Sequence, residues 1–237
     1  MSFAVRSATL TSILRWLAAA LVLRVLATIL ANYPDYFPAN FESLFLRGRE
    51  RTFIGTYKVA FYFHIGAAPF VLVFGLILLS DSVRQRFGTR HRWLGWLYVV
   101  ILLFLVLPSG MVMARHAFGG WPAGLSFFAL AIATAGCAIA GVIAARQRRF
   151  AAHGRWMIRS YLLICSAVVL RLISGTAGLI GVPDPETAYI LAAWCSWLLP
   201  LIAFEVLIGW RRLPEVPTIL GVSTGGCRAQ PDLHGAS

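Results

Sequence analysis

The stretch WLGWLYVVILLFLVLPSGMVM, residues 93–113, decides the fold. Its 21 residues carry no charge. As a helix rising 1.5 Å per residue, such a run is about 31 Å long, which matches a hydrocarbon core of about 30 Å. A helix on a water-soluble core shows a polar face, and this run has none to show. It predicts a membrane-crossing helix.

Five further runs have the same character: 13–31, 56–79, 123–145, 156–180 and 188–210. The expected fold is therefore an all-α integral membrane protein with six transmembrane helices, forming one domain over residues 1–212. The stretch 213–237, rich in Gly, Ser and Thr, reads as a disordered tail. The start, MSFAVRSATLTSILRW, has no small-residue cleavage site after a short apolar core, so it is expected to stay as the first helix.

Composition agrees. The chain is 59% hydrophobic and 13% charged, against about 25% charge in an ordinary soluble domain. A molecule of this size has too much surface to hide that apolar content from water. Its net charge is +12, which can signal nucleic-acid binding. Here the charges sit in short links between apolar runs, which excludes that reading and points to topology control. Cys137, Cys165, Cys195 and Cys227 show no CxxC spacing, so a zinc or thioredoxin-type motif is not supported.

The arginines set the expected orientation. One link carries Arg84, Arg86, Arg90 and Arg92; another carries Arg146, Arg148, Arg149 and Arg155. Arg6, Arg15, Arg211 and Arg212 fall on the same side of a six-helix arrangement. That side is expected to be cytoplasmic, with both termini inside and the anionic inner leaflet as partner. The first outer loop holds Tyr33, Tyr36, Phe37, Phe41 and Phe45, aromatic residues expected at headgroup level.

The two basic links repeat each other. RQRFGTRHRW runs from Arg84 to Trp93, and RQRRFAAHGRW from Arg146 to Trp156. In both, RQR begins seven residues before a histidine, which makes His91 and His153 equivalent. The core is thus expected to be two repeated helical hairpins, about 56–113 and 123–180, related by a pseudo-twofold axis along the membrane normal.

Ionisable residues inside a bilayer cost a few kcal/mol or more, and mark sites by default. Arg24, His64 and Arg171 are expected at similar depth in the outer half, with Arg115 and His116 ending the third helix on that side. Two arginines near one histidine favour an anion such as a carboxylate, a phosphate or a haem propionate. Glu205, near the inner end of the sixth helix, is expected to pair with Arg159 or Arg155.

The signatures HIGAAPF from His64, HRWLGWLY from His91 to Tyr98, and HGRWMIRSY from His153 to Tyr161 resemble a bacterial predicted-membrane-protein family, domain-of-unknown-function family 2306. The resemblance covers roughly residues 56–172 and implies a multi-pass protein of the bacterial inner membrane. It singles out His64, His91, His153, Arg159 and Arg171. A weaker similarity is to di-haem cytochrome b electron carriers. It would pair His91 with His153 and His64 with His116 as haem-iron or other metal ligands, with Arg24 or Arg171 on propionates.

Three functions stay open on the sequence. The leading one is b-type haem binding with a redox partner. The second is transport of a small anion through an intramembrane arginine site. The third is a structural or regulatory role. A hydrolase is disfavoured by the lack of HExxH and GxSxG motifs and by Glu205 being the single carboxylate within the spans. Oligomeric state is left open.

Overall fold

The computed structural model describes residues 2–43 and 45–210. The tail 213–237 and the arginines Arg211 and Arg212 lie outside the described residues. Within them the chain is helical: α1 (Ser2–Ala31), α2 (Gly55–Leu78), α3 (Asp81–Arg86), α4 (Gly88–Ile101), α5 (Leu107–Ala114), α6 (Gly120–Arg146), α7 (Phe150–Ile164), α8 (Ser166–Leu179) and α9 (Pro185–Trp210). Six stretches are long and apolar enough to cross a membrane, with α4–α5 and α7–α8 each forming one crossing.

Two crossings depart from the regular helices expected. In the third, Leu102–Val106 widens into a π-helical turn between α4 and α5. Pro108 explains it, because a proline has no N–H to return to the preceding turn. The fifth breaks at Cys165, whose carbonyl accepts from Val168 N–H (2.9 Å) and Val169 N–H (3.1 Å). No proline stands there. Cys165 follows His153 by 12 residues, and Leu103 follows His91 by 12. Both irregularities thus fall at the same register of the two repeats.

The repeat organises the core. α2 packs along α4, the π turn and α5, while α6 packs along α7. His91 and His153 are each the fourth residue of their helices. Tyr98 and Tyr161, five residues after Trp93 and Trp156, converge on Gly75 of α2. A Cβ there would lie 2.2 Å from the Tyr161 ring and 3.2 Å from that of Tyr98. Tyr161 O–H donates to the Leu72 carbonyl (3.1 Å), and the Tyr98 hydroxyl meets Ser160 Oγ at 3.3 Å. Ala67, Val71, Val99, Leu102, Val106 and Ala138 complete this cluster.

Lipid tails are as apolar as leucine, so close packing between small residues holds such helices together. The buried positions of α6 are Ala123, Ser126, Ala131, Thr134, Ala138, Gly141 and Ala144. Their small size lets α7 approach closely enough for His153 Nδ1 to reach the Gly141 carbonyl at 2.9 Å. α9 is fastened to α6 by a buried chain: Trp197 Nε1–H donates to Ser126 Oγ (3.0 Å), which donates to the Ala193 carbonyl (3.0 Å). Asp184 caps α9 by accepting from the N–H groups of Glu186 and Thr187, both at 3.1 Å. Those bonds, chiefly with Thr187, hold its carboxyl below the usual aspartate value. α1 lies outermost, touching α2 and α8.

Candidate functional site

A cavity of about 280 Å³ occupies the half of the bundle nearest the first loop. That is close to the lower end of the roughly 300–1,000 Å³ typical of ligand pockets. Its floor is apolar, from Val71, Leu72, Ala131 and Leu163. The polar groups on its wall are His64 of α2, Ser166 and Arg171 of α8, Tyr189 of α9, Thr134 of α6, and Tyr33, Tyr36, Arg49, Tyr57 and His116 near the loop. None of the described wall residues is a carboxylate. The cavity therefore carries uncompensated positive charge.

His64 is half-buried. Its Nδ1 lies 3.2 Å from both the Val106 carbonyl and Ser109 Oγ. The Ser109 hydroxyl donates to the carbonyls of Leu105 (2.5 Å) and Val106 (3.0 Å). A carbonyl can only accept, so Nδ1 is assigned the proton and Nε2 is left with the lone pair. The π turn matters here because it supplies the Leu105 and Val106 carbonyls. Gly110 leaves room for the imidazole; a Cβ there would lie 3.3 Å from His64 Cε1.

Arg171 spends one donor on the Ala167 carbonyl one turn earlier (2.9 Å). A guanidinium has five N–H donors, and among the described residues Arg171 forms no ion pair. Tyr189, Tyr36, Tyr33 and His64 all lie within electrostatic reach of it. At Tyr36, burial raises the phenol above its ordinary value and the Arg171 charge pulls it back. Arg49 is engaged more fully: Nε donates to the Phe45 carbonyl (3.1 Å), and Nη1 to Tyr57 Oη (2.9 Å) and the His116 carbonyl (2.7 Å).

The first loop forms the cap of this cavity. Leu46, Phe53, Tyr57 and Phe61 are buried together. Aromatic residues expected at headgroup level turn inward: Tyr36 stands edge-on to Phe61 at 5.2 Å, and Phe45 stacks on it at 5.5 Å.

The sequence candidates thus divide into groups. His64, His116 and Arg171 share the cavity. His116 is at its rim, its ring 5.2 Å from that of Tyr57. Arg24, expected beside them, is exposed on α1 and not part of the wall. His91 and His153 come within reach of each other's charge at the opposite end. His91 Nδ1 is buried without a hydrogen-bond partner there. Among the described residues, no three His, Cys, Asp or Glu side chains gather as a metal site. Arg159 and Glu205 form a two-pronged ion pair at 2.5 and 2.8 Å, with the guanidinium also 4.7 Å over Trp156.

Arg49, Tyr57 and Tyr189 belong to the wall, and Ser109 contacts His64 behind it, without having been singled out from sequence. Arg49 shares the first loop with Arg47 and Arg51, and only the folding of the loop distinguishes it. Ser109 had a readable signal, since it follows Pro108 inside an apolar crossing.

A family model described as "Predicted membrane protein (DUF2306)" matches residues 61–208. The chain belongs to this family. The match spans the two hairpins and most of α9, and so reaches beyond the 56–172 of the motif-based resemblance towards the C-terminus. This DUF2306 protein matches no curated protein and no solved structure.

Proposed function

We propose that this DUF2306 membrane protein binds a small anionic ligand, a carboxylate or phosphate, in the loop-end cavity and carries it as a membrane transporter. The observation that supports the reading most is the pairing of Arg171 with His64 on a largely apolar wall without a carboxylate. An unpaired guanidinium in low dielectric favours an anionic partner strongly, and charge-assisted hydrogen bonds are the strong ones. Arg171 offers its free N–H donors, His64 Nε2 accepts a proton or a donor from the ligand, and Arg49 adds positive field while holding the cap. Irregular backbone at the π turn and at Cys165 borders the cavity, as interrupted helices border transporter sites.

The test is titration calorimetry of the purified full chain in nanodiscs with a panel of carboxylates and phosphates, followed by uptake of the best binder into proteoliposomes. Saturable binding is expected for at least one anion, weakened about 10- to 100-fold by Arg171→Gln. Binding that ignores this substitution, or no anion binding at all, sinks the reading.

Haem b binding is a second reading. What favours it is that His64 and His116 face one cavity together with Arg49 and Arg171. The modest volume favours a smaller ligand. A reduced-minus-oxidised absorption spectrum separates the two: haem bands lost in His64→Ala support haem, and a flat spectrum from haem-replete cells removes it.

A further inference from the structure

A ligand can reach the cavity from water or from the bilayer. We propose that it comes from the bilayer: the ligand is a single-chain amphiphile with a carboxylate or phosphate head, entering sideways between α1 and α8 past Arg171. The proposal rests on the anion reading of the same cavity.

On the water side the first loop covers the cavity. Phe61 of α2 carries Tyr36, Phe45 and Phe53 on it, at ring distances of 5.2, 5.5 and 5.2 Å. The cap is tied at three points. Tyr33 O–H donates to the Ile65 carbonyl, Tyr62 O–H to the Tyr36 carbonyl (2.9 Å), and Arg49 to the His116 carbonyl (2.7 Å). Arg49 also lies 5.1 Å over the Phe45 ring. The opposite end is filled by Tyr98, Leu102, Tyr161 and Leu163, all buried.

The membrane side is different. Arg171 lines the cavity and keeps accessible surface although protein crowds it on most sides. It stands eight residues before Leu179, the end of α8, which is about 12 Å along the helix and well within the crossing. The neighbouring wall is α1, which contributes Ile29 to the cavity. The first and fifth crossings are the least enclosed of the six, 17% buried each against 39% for the third. α1 meets the bundle through Val22, Val25 and Leu26, packed on Leu72 and Val168. Its Thr28 hydroxyl bonds to its own Val25 carbonyl and makes no bridge to another helix. Among the described residues, this wall is therefore closed by van der Waals contact.

The chemistry of the wall matches the route. Arg171 meets an anionic head at the mouth, where the phenols of Tyr33, Tyr36 and Tyr189 are near it. Ile29, Leu72, Ile164 and Leu170 offer apolar surface to a chain. About 280 Å³ holds the head and the first part of the chain, and the remainder stays among lipid tails beside α1.

The test uses the full chain in nanodiscs of zwitterionic lipid. The probes are dodecanoate, dodecyl phosphate, butyrate, inorganic phosphate and dodecanol. Affinities are measured by native mass spectrometry and corrected for uptake into protein-free nanodiscs. One of the two long-chain anions is expected to bind at least about tenfold more tightly than its short counterpart, since two or three extra buried methylenes suffice for that. Dodecanol is expected to bind at least about tenfold more weakly, for want of the charge-assisted bond. Arg171→Gln should weaken the long-chain anion about as much, while Arg171→Lys, with the same melting temperature, retains part of the affinity. Ile29→Trp, which narrows the mouth, should slow association. Equal binding of butyrate or phosphate would overturn sideways entry and leave the anion reading standing. Equal binding of dodecanol would overturn both the anionic head and the role of Arg171. Binding of none of the probes would overturn the anion reading itself.

Discussion

Arg159 and Arg171 stand 12 residues apart on one crossing, about 18 Å along it. Arg159 is gripped by both oxygens of Glu205 and lies over the rings of Trp156 and Phe204. Arg171 has one backbone carbonyl and open space in front of it. Their surroundings differ in the same sense. Around Gly75, tyrosines from both repeats pack closely, whereas His64 and Arg171 both border the cavity. A charge with a dedicated partner in a filled region serves the architecture. A charge without one, on a cavity wall, is available to a ligand. On the proposed function, the two halves of the bundle divide stability and recognition between them.

The sharpest way to break this comparison is to exchange the charges for neutral groups. Arg171→Gln is expected to weaken anion binding about 10- to 100-fold, in line with roughly 1.5–3 kcal/mol for a hydrogen bond to a charged group, and to leave the melting temperature nearly unchanged. Arg159→Gln should do the reverse. If both variants lost binding equally, the division would be wrong. Gly75→Ala tests the filled half alone. Overpacking against Tyr161 and Tyr98 should lower stability by about 1–3 kcal/mol, read as earlier thermal unfolding in detergent, with ligand affinity per folded molecule unchanged.

The Arg159–Glu205 pair is a smaller effect. Glu205 is 45% exposed, so solvent and headgroups screen it, and a double-mutant cycle should return about 1 kcal/mol or less. The smallest effect belongs to Asp184. Its carboxyl sits below the ordinary aspartate value when folded, so its contribution is present above the unfolded pKa and lost as pH falls through the folded one. Asp184→Asn should lower the melting temperature slightly at neutral pH. The difference from the native chain should vanish in acid; a difference constant with pH would mean the carboxylate charge has no part in capping α9.

Much of the architecture was legible because its signals are local. Six apolar runs report their own burial in lipid, residue by residue. The duplicated RQR…His…Arg-Trp pattern marked the hairpins, and the structure adds that their irregular turns coincide in register. His64 and Arg171 stood out because ionisable groups in a crossing are costly wherever they point. Arg24 satisfied the same test and yet lies outside the cavity wall. A one-dimensional rule measures depth along a helix and is blind to which face a residue occupies when the whole circumference is apolar. Glu205 could be assigned to Arg159 or Arg155 in advance because all three were near the same end and no other carboxylate competed within the crossings; the structure pairs it with Arg159.

The amino-acid sequence by itself determined that the chain crosses the membrane six times, that its core is duplicated, and which polar residues the bilayer must accommodate. All of that follows from transfer of side chains out of water, a property each segment has alone. Tertiary structure decided which of those polar residues share a space. The cap formed by the first loop, the choice of Arg49 from the three loop cations Arg47, Arg49 and Arg51, the carbonyls presented to His64 by the π turn, and the place of Arg171 on the cavity wall all arise where several helices meet. They depend on close packing between distant segments, and no single segment carries that information.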